Sequence, residues 1–350
     1  MAHPLDTYLR KVLAIHGSGA GTAETSYYTP LENLLDEIGK TLKPRVRCVM
    51  QLADTGAGLP DGGLFSSEQF KRAHDPAPAA GQLPSRAAIE VKPPSGDVRK
   101  IANGAQTQRY LARYGLVLVT TLREFVLVGT DADGKPKSLE AYTLAADEVE
   151  FWEAARSRKA TIETHGARLE EFLKRVMLHG ARLTSPADVA WFLASYARDA
   201  RLRIDSAGVE ALDALRRALE DALGLKFEGE KGEHFFRSTL VQTLFYGVFS
   251  AWVLWGRERP NQSTDRFRWH ETPWFLHVPM IRALFEQVAA PSKLKPLGIE
   301  EVLDWAETAL NRVDRQLFYS RFEDRYAVQY FYEPFLKAFD PELRKQLGVW

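Results

Sequence analysis

The short apolar runs that spell β-strands stop near residue 145, and that break constrains the fold of this chain more than any other feature. Strands are predicted before it at 46–52, 87–92, 116–121 and 124–129; the last two are separated by Leu122-Arg123, and a polar turn follows at 131–137. Helices are predicted at 30–42, where Leu31, Leu34, Leu35, Ile38 and Leu42 recur at helical spacing, and at 98–114. After the break every window has helical period. Ser185-Pro186-Ala187-Asp188 is a helix-start signature, with serine as cap and proline in the first turn. The chain should therefore form a small α/β domain over 1–160 and an all-α domain over 161–350. Its length fits two domains of about 100–200 residues each. Residues 66–85, rich in Pro, Ala and Ser and without period, are expected to be an exposed, weakly ordered insertion.

Composition removes several functional classes. Lys+Arg and Asp+Glu both total 46. Residues 1–164 carry 20 of each, so no basic or acidic tail exists to hold nucleic acid or imitate it. The single cysteine, Cys48, excludes a disulfide framework and a cysteine zinc site. None of the eight histidines has metal-ligand spacing with another. The run at 240–255 is shorter than the ~20 apolar residues of a membrane span and contains Gln242, so a buried helix is expected. With no secretory signal visible, a cytoplasmic protein with no membrane partner is expected. Gly39-Lys40-Thr41 lacks the upstream glycine of a nucleotide-binding loop, since Leu34 stands there. Trp252, Trp255, Trp269 and Trp274 are expected to form a core cluster rather than a base-stacking platform.

Three short signals carry chemistry. Pro60-Asp61 follows a Gly-rich turn, Glu90-Val91-Lys92 ends a strand, and Gln106 and Tyr110 stand four apart on the next helix. Strand side chains alternate, so Glu90 and Lys92 share a face and Val91 points into the core. Asp61, beside a neighbouring strand, can bring its carboxylate to the same place. Two carboxylates and a backbone carbonyl form a hard oxygen site suited to Mg²⁺. Lys92 beside it can orient a water or stabilise charge developing on phosphorus. Two carboxylates so close should repel, so Asp61→Ala is expected to leave the metal-free protein at least as stable. The competing readings are a turn aspartate, a surface ion pair and an amphipathic packing pair.

The order Pro-Asp then Glu-x-Lys resembles the PD-(D/E)xK nuclease superfamily. The stretch 24–35, Asp61, Glu90, Lys92, Gln106, Arg109, Tyr110 and VLVTTLREFVLV together resemble the N-terminal nuclease of single-chain restriction–modification enzymes of the type ISP group. The resemblance implies a restriction-endonuclease-like mixed sheet and a Mg²⁺-dependent endonuclease acting on double-stranded DNA. Asp61 and Glu90 would hold metal, Lys92 would assist the water, and Gln106 and Tyr110 would support the site and DNA placement. Glu24 matches the acidic residue that opens the first helix in that family; Glu32, further along, is the alternative. Residues 331–336 and 343–350 resemble the helical run that leads into an adenine methyltransferase. The chain is thus expected to be the N-terminal part of a longer enzyme or one part of a split system, partnered by such a domain or subunit. Apolar Phe331, Tyr332, Phe335 and Leu336 should then be partly uncovered. No Asn-Pro-Pro-Tyr motif is present, so no methylation is expected from this span, and target recognition is expected to lie elsewhere. The rival reading is a catalytically silent nuclease-fold module that binds DNA or docks the methyltransferase; a nuclease acting on RNA is a third.

Overall fold

The computed structural model describes residues 3–19, 25–52, 59–72, 74–131, 134–259, 265–323 and 331–346. Two compact units divide at Ala181/Arg182.

The first unit is built on a six-stranded mixed sheet in sequential order, β1 (Val46–Met50), β2 (Gly62–Ser66), β3 (Ala87–Val91), β4 (Val117–Thr120), β5 (Glu124–Thr130) and β6 (Pro136–Thr143). Only β3 and β4 run parallel. Their crossover carries α3 (Val98–Ala102) and α4 (Ala105–Tyr114), as a parallel connection requires. The other helices are α1 (Pro4–Ser18), α2 (Tyr28–Gly39), α5 (Glu148–Arg156), α6 (Arg158–Thr161) and α7 (Ala167–His179). β4 is buried at all four positions, which is why its sequence is a continuous apolar run rather than an alternation. Val117, Val119, Val126 and Val128 on one face pack with Val98, Ala102, Tyr110 and Leu111 of α3 and α4.

The α/β-then-helical order is as expected, with three differences. The helix predicted at 98–114 is two helices, because the chain turns at Asn103 and Gly104 begins the second. β2 lies where turn residues stand. Its glycines serve close approach: a Cβ on Gly62 would lie 2.4 Å from Met50 Sδ and 2.9 Å from the Val49 carbonyl oxygen. β6 and α1 were not among the predicted elements. The insertion is largely exposed but organised. Gln69 accepts from the backbone N–H groups of Ser66 and Ser85 and donates to Gln82 and to the Leu83 carbonyl, which ties the two ends of the loop together.

β1 is an edge strand whose outward N–H groups need partners. α2 supplies them. Tyr28, Glu32 and Asp36, each four apart, form one face of the helix. Asp36 Oδ1 accepts from Cys48 N at 2.7 Å and Glu32 Oε1 from Met50 N at 3.3 Å. Burial raises both carboxyls above the usual range, opposed by those two backbone bonds. The folded chain therefore binds protons more tightly than the unfolded one. This stabilising contribution is full below the ordinary carboxylate value of about 4 and is lost as pH rises through the raised folded values. Urea midpoints measured against pH should show this fall in wild type relative to Glu32→Gln, which keeps the acceptor and cannot titrate. A constant difference between the two proteins would contradict it.

The second unit is helical throughout its described residues, apart from one isolated bridge between Leu183 and Val313. α8 (Pro186–Asp205) opens with the expected capping box, in which Asp188 N donates to Ser185 Oγ and Ser185 N to Asp188 Oδ2. α9 (Val209–Leu223) precedes α10 (Gly229–Glu258), the one described helix long and apolar enough to cross a membrane by composition. α10 is apolar all round because most of that stretch is buried within the protein. Trp252, Trp255 and Trp269 are core residues as expected, whereas Trp274 is 73% exposed. The cluster at 331–336 is covered by α10 rather than open: Phe331 stacks on Phe249, Phe335 packs on Phe245 and Tyr246, and Tyr332 Oη bonds Ser250 Oγ at 2.7 Å. Phe331, Phe335 and Leu336 are buried and Tyr332 is half-buried, so of these four residues Tyr332 alone keeps some exposure.

Candidate functional site

The register of the central strands determines which side chains meet. In the parallel pair, Glu90 stands opposite Val119 and so shares its face, the one covered by α4. Lys92, two residues on, has the same facing. Gly62 is opposite Ile89 in the antiparallel pair, so continuing the ladder by one residue brings Asp61 opposite Glu90. Three sequence signals from three segments therefore converge at one end of the β2–β3 pair, beside the N-terminal turn of α4.

The contacts bear this out. Glu90 is 1% exposed, and Lys92 Nζ lies 2.8 Å from its Oε1. Gln106 Nε2 donates to Glu90 Oε2 at 3.2 Å and to Tyr110 Oη at 3.0 Å. Tyr110 in turn donates to the Leu59 carbonyl at 2.6 Å, two residues before Asp61. Burial raises the Tyr110 phenol, opposed by the Gln106 bond; the charges of Glu90 and Asp61 add to the rise and Lys92 offsets part of it. That one phenol feels all three charged groups because they surround it. Asp61 Oδ2 accepts from Val91 N at 2.7 Å, Asp61 Oδ1 accepts from the Tyr28 hydroxyl, and the Asp61 carbonyl accepts from Gln51 N at 2.6 Å. Gln51 holds a left-handed φ of 58° there, a conformation that costs a non-glycine residue energy and that the surrounding bonds hold in place.

Asp61, Glu90, Lys92, Gln106 and Tyr110 are thus brought together. Glu24 lies outside the described residues. Glu32 is on α2 with its Oε1 bonded to Met50 N, on the outer side of β1. Tyr28 is a contributor that the motifs do not contain; it reaches Asp61 from α2, across 33 residues of sequence.

The bonds around Asp61 correct the expectation that its removal would not harm the metal-free protein. Asp61→Ala removes the acceptor of the Tyr28 hydroxyl and of the buried Val91 N–H, and leaving that N–H unsatisfied alone costs about 1–3 kcal/mol. Asp61→Asn keeps an acceptor for Val91 and offers Tyr28 a donor, so it should melt close to wild type. Thermal melts of the two variants check this, and equal melting temperatures for Asp61→Ala and wild type would contradict it.

The donor set suits one small hard cation. Among the described residues no group of three or more His, Cys, Asp and Glu could hold a metal, so the site offers two carboxylates and neutral oxygens. Mg²⁺ is commonly held by one or two carboxylates and keeps several waters, whereas a buried cage for Ca²⁺ or Zn²⁺ needs more protein ligands.

A scan against protein-family profiles finds no match, and a search of curated proteins finds none either. Among solved structures, the chain is similar to one in an electron-cryomicroscopy structure of a DrdV–DNA complex, with 16% identity and a TM-score of 0.29 over all of this chain. The chain spans 30% of that chain's length. Neither the identity nor the TM-score is high enough to assign a fold or an activity.

Proposed function

We propose that the first unit is a Mg²⁺-dependent endonuclease that hydrolyses phosphodiester bonds in double-stranded DNA. One observation carries the reading: a buried glutamate, Glu90, holds Lys92 at 2.8 Å at the strand end where the ladder brings Asp61 alongside. Burying an acid at a strand end costs energy unless its charge is used or matched. Lys92, 28% exposed, keeps its ammonium at the boundary between that acid and solvent, where a substrate phosphate arrives.

Asp61 and Glu90 would hold the cation, with the main chain of β3 beside them. A Mg²⁺ ion held by these two carboxylates would supply Lewis-acid polarisation of the scissile phosphate and lower the pKa of a bound water. Lys92 orients the attacking water and stabilises charge developing on phosphorus. Gln106 fixes the orientation of Glu90 through its donated bond. Tyr110 positions Asp61 through the Leu59 carbonyl. Domain labels follow from this reading, with a nuclease in the first unit and a helical spacer or docking domain in the second, for an adenine methyltransferase partner in a restriction–modification or defence setting.

Plasmid cleavage with Mg²⁺ against EDTA tests the activity, and Tyr110→Phe tests the positioning role. Losing the hydroxyl frees the Leu59 carbonyl and an amide proton of Gln106, and costs two ordinary hydrogen bonds, about 2 kcal/mol of stability. Cleavage should fall about 10-fold or more, because a small displacement of a ligand is felt strongly in the transition state. Wild-type cleavage by a folded Tyr110→Phe would remove Tyr110 from the site.

The rival reading, a catalytically silent DNA-binding or docking module, is disfavoured by the presence together of Asp61, Glu90 and Lys92. Such a module has no need of a buried acid paired with a lysine at a strand end.

A further inference from the structure

Residues 98–114, spanning α3 and α4, contain Arg99, Lys100, Arg109 and Arg113 and no acidic residue, in a chain whose charges balance overall. All four cations are exposed, and among the described residues none makes an ion pair. The nearest acid in sequence, Asp97, is engaged in capping α3, accepting from Arg99 N and Lys100 N. Elsewhere in the chain many arginines are ion-paired, as Arg123, Arg175, Arg203 and Arg237 are. Their order along α4 has a direction. Gln106 sits at the start and touches Glu90. Arg109 and Arg113, three and seven residues on, follow on the same shoulder, while Thr107 and Leu111 occupy the buried side. From Gln106 to Arg113 the helix rises about 10 Å. One DNA strand presents a phosphate every ~3.4 Å of duplex axis and also winds around that axis, so the shoulder matches about two successive phosphates.

We infer that the Gln106–Arg109–Arg113 shoulder of α4 is a phosphate-contacting strip for one strand of duplex DNA, leading that strand to Glu90 and Asp61. The inference rests on the nuclease reading for the place it leads to, but not for the contact itself. The partner is a polyanion of regular spacing, because two planar guanidinium groups in a row with no carboxylate nearby suit phosphates. The strip carries no base-reading geometry, so its contribution should be independent of DNA sequence.

The test is binding of a labelled DNA duplex in EDTA, where no cleavage occurs, measured over a range of KCl. Arg109→Gln with Arg113→Gln should flatten the dependence of log Kd on log salt by about 1.8, at ~0.9 per lost phosphate contact. Wild type should then lose about 12-fold more affinity than the variant between ~50 and ~200 mM salt. Arg109→Lys with Arg113→Lys should restore the slope, since an ammonium still neutralises phosphate. Arg182→Gln with Arg217→Gln removes the same charge from positions 77% and 76% exposed in the second unit and should leave the slope as in wild type. An unchanged slope in the Arg109/Arg113 variant overturns the inference, as does equal flattening in the control pair. The nuclease reading is judged separately by Mg²⁺-dependent cleavage. A flattened slope with no cleavage from wild type would keep the strip and remove the nuclease.

Discussion

Glu90→Gln should bind DNA as wild type does and fail to cut it. The carboxylate is buried against Lys92 and Gln106, so the amide fits the same space and the fold is kept. What changes is charge: one of the two anions available to a cation is gone, and Lys92 no longer faces an acid. Losing a metal ligand together with the placement of Lys92 should cost at least about 4 kcal/mol in the transition state, roughly a 10³-fold loss of rate. Asp61→Asn should lose activity to a similar degree, because it removes the other anion while keeping its bonds to Val91 and Tyr28. Lys92→Met should bind metal at least as tightly, having lost a competing cation, yet cut slowly. The three variants therefore separate ligand loss from loss of the lysine. Single-turnover cleavage at saturating DNA, with calorimetric titration of Mg²⁺, measures both quantities. Wild-type rates from all three would sink the nuclease assignment and leave a DNA-binding or docking module.

The central strands, the helix face at 30–42 and the helical second half were legible because each rests on local periodicity, whereas the meeting of Asp61, Glu90, Lys92, Gln106 and Tyr110 was implied by the motif order and the resemblance it carries. Glu90 and Lys92 share a face by strand geometry alone, and Gln106 and Tyr110 by helix geometry alone. Three features were not legible, each for a physical reason. β2 contains Gly62-Gly63 right after the Pro60-Asp61 turn, and glycine reads as turn chemistry until the crowding by Met50 and Pro84 is seen. β6 is an edge strand with Lys137 and Ser138 exposed, so it has no apolar run to declare it. α1 is different, because Leu5, Tyr8, Leu9 and Val12 do recur at helical spacing in the sequence. Tyr28 bonds Asp61 across 33 residues, and no local pattern encodes such a contact. The division between units lies at residue 181 rather than near 160 for a related reason. The helical pattern after 145 marks where strands end, not where the first core ends.

That last difference leads to the largest expected loss of stability. α7 belongs to the first unit because Arg175, 0% exposed, reaches Glu140 on β6, 2% exposed, with Nε and Oε2 2.9 Å apart. Phe172 of the same helix packs on Tyr142 of the same strand, and Met177 lies against Gly39 at the end of α2. An ion pair this deep gives little net stability over a well-packed apolar pair, because both charges were stripped of water to make it. Removing one partner is different: the survivor keeps its desolvation cost and loses the opposite charge of this pair. Arg175→Ala or Glu140→Ala should therefore destabilise the first unit by about 3–5 kcal/mol. Replacing both, as Arg175→Met with Glu140→Leu, should recover most of that loss. Peptide-resolved hydrogen exchange over β6 and α7 gives the readout within one unit and does not require the whole chain to unfold in a single step. Each single variant should lose protection there by about 150- to 5,000-fold, while the double variant exchanges close to wild type. Exchange in Arg175→Ala as slow as in wild type would mean that α7 is held by its apolar face alone, and that the boundary between the units owes nothing to this pair.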